Sequence, residues 1–205
     1  MKLKQRLTAV LTSFAMVSAV MVPVTTPAPV IEAATSYVNY AKALQYSLYL
    51  FDANMCGTDV GENSDLSWRG DCHTQDANRE VNINGTNYNV DVSGGYHDAG
   101  DHMKFSLPAG QAMSTLNLAY YKFGDAFDST GQTAHLKKIM QREADYLSRC
   151  IIRNSSGSVV GFVVQVGDNS GDPGNADHNS QVAPEQQAYT NREVVVASSS
   201  NPCSD

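Results

Sequence analysis

The stretch Ser93-Gly94-Gly95-Tyr96-His97-Asp98-Ala99-Gly100-Asp101-His102 carries two carboxylates three residues apart, with a histidine on each outer side. Gly94, Gly95 and Gly100 let the backbone turn tightly and approach a ligand closely. Two Asp on one small-residue loop can hold a single water between them. A general base needs that arrangement when it must aim a nucleophilic water at a fixed carbon. Asp and Gly are also ordinary turn residues. Taken alone, the stretch therefore also reads as an ordinary Asx-rich surface turn.

The surrounding pattern places this loop between helices. Residues 38–54 carry Val38, Ala41, Leu44, Leu48 and Phe51 at helical spacing. Residues 55–108 hold no long periodic run, and read as long ordered loop with a short hairpin at 80–92 around the Asn84-Gly85 turn. Loops of that length in a compact domain are usually functional. Helical spacing returns over 109–124 and again over 131–152, the latter with Lys137, Lys138, Arg142 and Glu143 assigned to its polar side. Residues 158–166 read as a short strand, 167–184 as a second Gly/Asp-rich loop, and 185–196 as a weak helix or extended segment. The expected fold class is all-α, with a site built from loops gathered at one end of a helical array.

The N-terminus reads as a targeting segment. Lys2, Lys4 and Arg6 precede an apolar run from Leu7 to about Val22, and small residues follow to Ala33-Ala34. This is the order of a secretory signal, so residues 1–34 are set apart from the fold and the chain is expected to be secreted and extracellular. A retained membrane anchor is the alternative, but the run is short and broken by Pro23, Pro27 and Pro29. No membrane association is expected once the signal is removed. The whole chain has 14 Lys+Arg and 21 Asp+Glu; removing three cations and Glu32 leaves 11 against 20, a formal charge of −9. So acidic a chain is a poor nucleic-acid binder. It suits a neutral partner such as a polysaccharide. Residues 35–205 suffice for one domain with a real core, and the ending Asn201-Pro202-Cys203-Ser204-Asp205 reads like a chain cut within a domain.

Three further constellations carry chemistry. Cys56, Cys72, His73 and His97 are a complete tetrahedral zinc set by residue type. A Cys56–Cys72 disulfide, natural in an exported chain, is equally compatible with the sequence, as are histidines with no ligand. Cys150, at a helix end, reads as a buried small hydrophobe. Leu66-Ser67-Trp68-Arg69-Gly70-Asp71 offers Trp68 either as a sugar-stacking platform or as an anchor onto the helical core, with Arg69 paired to Asp71. Gln165-Val166-Gly167-Asp168 and Gly174-Asn175-Ala176-Asp177-His178 place polar groups on Gly-rich turns suited to sugar hydroxyls. Their spacing does not match a calcium loop.

Read together, Ser67-Trp68-Arg69-Gly70-Asp71, the run from Val90 to Phe105, and Val164-Gln165-Val166-Gly167-Asp168 resemble glycoside hydrolase family 9, mostly endoglucanases, from about Tyr37 to Asp205. The resemblance implies the N-terminal part of an (α/α)6 barrel that cleaves β-1,4-glucan with inversion. It implies Asp101 as general base, Asp98 as a second holder of the water, and His178 as a substrate-binding residue; Trp68 joins His178 as a substrate-binding candidate on its residue type. It gives the Cys56, Cys72, His73, His97 set a precedent as a structural Zn2+ site. Three departures accompany it. No Glu here matches the family's catalytic acid, so this chain alone is expected to be inactive. Asn169 to Pro173 are extra residues, and Gln181-Val182-Ala183-Pro184 stands where the family carries a W-G-P motif. The competing expectation is a non-catalytic secreted glycan-binding or zinc-stabilised module. Cellulosome or cell-surface association cannot be read from these residues.

Overall fold

The computed structural model describes residues 39–170, 177–187 and 191–203. The signal-like segment, the Gly174-Asn175-Ala176 turn and most of the extra residues after Val166 lie outside the described residues. Among the described residues no helix is long and apolar enough to cross a membrane.

Helix α1 spans Tyr40–Asn54, α2 Val60–Asn63, α3 Ser106–Ser129 and α4 Thr133–Arg149. The helical periodicities thus mark real helices. Helix α3 runs beyond the expected 109–124 and is kinked at Phe123, next to Gly124. Helix α4 buries Leu136, Ile139, Glu143 and Tyr146, one row at three- and four-residue spacing that continues to the buried Cys150. Glu143 therefore does not lie on the polar side. It occupies a core position that the spacing 136, 139, 143, 146, 150 already marks.

The all-α expectation needs correction, because the described residues contain two antiparallel sheets. Strands β1 (Arg79–Ile83) and β2 (Thr86–Val90) form the hairpin, with Asn84 at φ +52° and Gly85 at φ +82° making its turn. The second sheet orders β3 (Lys104–Phe105), β5 (Val159–Val166) and β4 (Ile151–Arg153), with β6 (Val194–Ser198) also paired to β5. The segment 185–196, open between helix and extended chain, is extended where it enters β6. The Val-rich run Val194-Val195-Val196 favours a pleated surface over a helix.

Two cores result, and α4 serves both. Leu48, Met113, Phe127, Leu136 and Ile139 close the helical core. Val81, Val90, Tyr146, Ile152 and Val163 close the core beneath the sheets. The Gly/Asp loop emerges where the two meet. It is tied by the Met55–Tyr96 bridge at one end and the Lys104–Val166 pair at the other.

Candidate functional site

The two loop carboxylates occupy different environments. Asp101 is 7% exposed, whereas Asp98 is exposed. The Asp101 Oδ2 lies 2.7 Å from Nδ1 of His178, and its Oδ1 is buried with no partner among the described residues. The Asp98 N–H donates to the Met103 carbonyl at 2.8 Å, closing the loop on itself. Desolvation, then the charge of Asp101, pushes the Asp98 carboxyl up, while His178 opposes the shift. His178 is 51% exposed and touches Asp101, so it is placed to orient that carboxylate as well as to meet a ligand.

A buried ionic cage underlies the loop. Lys104 Nζ lies 2.9 Å from Asp76 Oδ2, Arg192 Nε donates to Asp76 Oδ1 at 3.0 Å, and Arg192 Nη1 lies 2.9 Å from Asp177 Oδ1. All four side chains are at most 1% exposed. Arg192 also donates to the His102 carbonyl at 2.9 Å, and Lys104 to the carbonyls of Val92 and Gly94. Asp177 further accepts from the Asp168 N–H at 2.6 Å and from Gln187 at 2.9 Å. The cage thus joins the Asp98–Asp101 loop to the segment bearing His178. Sequence reading missed Asp76, Lys104, Asp177 and Arg192 as a unit, because Asp76, which joins the two cations, lies 116 residues from Arg192.

The four predicted metal ligands converge. Cys56, Cys72, His73 and His97 are all buried, and one donor atom from each lies within 4.8 Å of the others. Antiparallel bridging of Gly57 to Cys72 and of Met55 to Tyr96 sets three of them side by side. His73 adopts the left-handed conformation at φ 50° to turn inward. Its Nδ1 is 3.7 Å from Cys56 Sγ and 3.1 Å from His97 Nε2. A tetrahedral Zn2+ with ordinary bond lengths sets these edges at about 3.6 and about 3.3 Å, so the donor set fits the ion. Both thiols are free, and the disulfide alternative is not realised. The Cys56 thiol is held well below its usual range, chiefly by a bond from the Cys72 thiol, which is itself pushed up by that bond and by burial. Burial pushes His97 down to about 4, leaving it neutral and able to ligate. Outside the set, His73 Nε2 meets Gln187 Oε1 at 2.6 Å and Arg69 reaches Cys72 Sγ at 3.7 Å.

Trp68 is 67% exposed and does not anchor the loop to the core. Arg69 does, and it does not pair with Asp71. Its side chain is fully buried, donates to the Ala53 and Met55 carbonyls and bonds Glu185 at 2.7 Å. The last carbonyls of α1 lack helical partners, and a guanidinium is well suited to satisfy them. Asp71 instead accepts from the Gly61 N–H at 3.1 Å.

The chain as a whole is similar to known proteins. The chain is 45% identical to the catalytic domain of Clostridium thermocellum CelT, covering 80% of this chain and 36% of that one at a TM-score of 0.69. It is 40% identical to the cellulase Cel9M of C. cellulolyticum, covering 82% of this chain and 35% of that one at a TM-score of 0.64; Cel9M has also been solved in complex with cellobiose. Among curated relatives, Endoglucanase 25 of Arabidopsis thaliana is 31% identical over 82% of this chain, and Endoglucanase 1 of Persea americana 32% over 83%. The chain spans 26% and 30% of the length of those two relatives. Residues 40–205 match the family model described as glycosyl hydrolase family 9, and the chain therefore belongs to that family.

Proposed function

We propose that this chain is the base-bearing part of a secreted endo-β-1,4-glucanase that cleaves cellulose with inversion. The observation that carries the reading is Asp101. One oxygen is fixed by His178, and the other is buried, unpartnered among the described residues, and free to accept a proton from water. In the proposed step, Asp101 takes that proton as the water oxygen attacks the anomeric carbon, and Asp98 holds the same water from the other side. Inversion needs a carboxylic acid roughly 6.5–9.5 Å away to protonate the leaving oxygen. Asp98 and Asp101 act on one water and do not fill that role. The family's Glu has no match in this chain, so the acid comes from outside it and the chain alone does not turn over glucan.

Trp68 and His178 are the substrate contacts in this reading. An exposed indole offers an apolar face to a pyranose ring. A Zn2+ held by Cys56, Cys72, His73 and His97 would be structural, fixing the loop that carries Asp98. Residues 1–34 direct export. The relatives named endoglucanase and cellulase support the substrate class.

Binding tests the proposal without the missing acid. Calorimetric titration of the chain with cellotetraose should give saturable binding, weakened roughly fivefold or more by Trp68→Ala and little changed by Asp101→Asn. Reducing-sugar release from carboxymethyl cellulose should be absent. No cellotetraose binding, or turnover that survives Asp101→Asn, refutes the assignment.

A further inference from the structure

The segment that starts at Gln181-Val182-Ala183-Pro184 touches the metal set and its neighbours at three points. The Val182 carbonyl is 3.0 Å from His102 Nε2. Glu185 Oε1 accepts from Arg69 Nε at 2.7 Å and from the Gly70 N–H at 2.8 Å, and Arg69 in turn reaches Cys72 Sγ at 3.7 Å. Gln187 Oε1 meets His73 Nε2 at 2.6 Å and also meets His102 Nδ1. Both acidic and amide side chains leave one tight turn, Pro184–Gln186 and the residue that follows it.

Hydrogen-bond chemistry fixes which way the Gln187 amide points. Asp177, paired with Arg192 in the cage, presents carboxylate oxygens that only accept. Its Oδ1 lies 2.9 Å from Gln187 Nε2, so the amide nitrogen faces the cage and the carbonyl oxygen faces the imidazoles. That carbonyl oxygen also only accepts. A bond to it puts the His73 ring proton on Nε2 and leaves the Nδ1 lone pair free. Nδ1 is the atom that stands 3.7 Å from Cys56 Sγ and 3.1 Å from His97 Nε2. A proton on Nδ1 instead would take His73 out of the ligand set.

Gln187 thus stands between two sites. On one side it holds a metal ligand. On the other it holds Asp177, whose neighbour His178 lies 2.7 Å from Asp101. His102, next to Asp101 in the chain, leans on the same amide oxygen. We propose that Gln187 is a positioning residue for both sites: it holds His73 in the tautomer that ligates Zn2+ and anchors Asp177 beside His178, so that loading the metal and placing Asp101 are coupled. The proposal rests on the readings of Cys56, Cys72, His73 and His97 as a zinc site and of Asp101 as the base. An apolar side chain of similar length fills the same space and makes none of these bonds.

The test uses the whole chain, stripped of metal and titrated with Zn2+ against a chelator of known affinity. Zinc affinity should fall roughly 10–100-fold in Gln187→Leu and stay within about threefold of wild type in Gln187→Glu, which keeps an acceptor for His73. Nitrogen resonance spectra of the stripped chain should show His73 protonated on Nε2 in the wild type and as a mixture of ring tautomers in Gln187→Leu. Adding zinc should shift the His178 ring signal in the wild type and leave it unmoved in Gln187→Leu. Thermal melts of each stripped variant confirm folding. Equal zinc affinity in wild type and Gln187→Leu overturns the proposal and leaves the zinc site standing. So does Gln187→Glu binding as weakly as Gln187→Leu, because an acceptor is then not what His73 needs. A wild-type His178 signal that ignores zinc removes the coupling. A wild type that binds no zinc removes both the proposal and the metal reading, while cellotetraose binding still decides the glucanase reading.

Discussion

Removing Asp177 should loosen the site without touching it. In Asp177→Ala, Arg192 loses one of its two buried carboxylates, and the Asp168 N–H and the Gln187 amide lose a shared acceptor. Leaving a buried charge short of its partner costs about 3–5 kcal/mol. That is about a third or more of the stability of an ordinary domain. At roughly 2–4 °C per kcal/mol for a chain of this size, the melting midpoint should fall by about 6–20 °C. Asp177→Asn keeps an acceptor of the same shape and loses only the charge, so it should cost about 1.5–3 kcal/mol. The second readout is local. The N–H of His178 bonds the Asp168 carbonyl at 3.3 Å, and its ring bonds Asp101. Nuclear magnetic resonance of the His178 ring should show that contact loosened in Asp177→Ala and kept in Asp177→Asn. A midpoint within about 2 °C of wild type, with an unchanged His178 signal, would refute the claim that the cage positions the loop.

Elemental analysis of the purified chain should find one zinc, and stripping it with a strong chelator should lower the melting midpoint; Cys56→Ser should abolish the difference between stripped and loaded protein. Burial raises Glu143 from 4.5 to about 7. The folded state therefore binds this proton more tightly than the unfolded chain, so the contribution to stability is greatest below pH 4.5 and is lost as pH rises through about 7. The full difference is about 3 kcal/mol. Denaturant melts should show Glu143→Gln gaining on the wild type as pH rises from 4.5 to 8, and equal slopes in the two proteins would sink this reading.

The helices and the hairpin were legible because their signals are local. The 3.6-residue spacing in 131–152 and the Asn84-Gly85 turn need no distant partner. Cys56, Cys72, His73 and His97 were legible as a candidate set, but their residue types alone left zinc, a disulfide and unliganded histidines all open, and it took the folded chain to bring the four donors together. The strands β3, β4 and β6 were not legible, for a physical reason. Lys104-Phe105 is only two residues long and exists as a strand because β5 lies beside it. Arg69 shows the same limit. Its nearest acid in sequence is Asp71, yet it is spent on the open end of α1 and on Glu185, more than a hundred residues away. Glu143 was misassigned by its charge when its register was the better guide.

The loop from Tyr96 to Lys104 is clamped at both ends by backbone bridges and closed across its middle by the Asp98–Met103 bond. So short a span has little freedom left to lose. Ordering a loop around a ligand draws on the binding free energy, and a loop already frozen spares it. The two aspartates are therefore tolerant of a poorly fitting guest only to the extent that the guest itself can bend. In the proposed reaction on a stiff glucan, that rigidity would shift the burden of distortion onto the sugar rather than onto the loop.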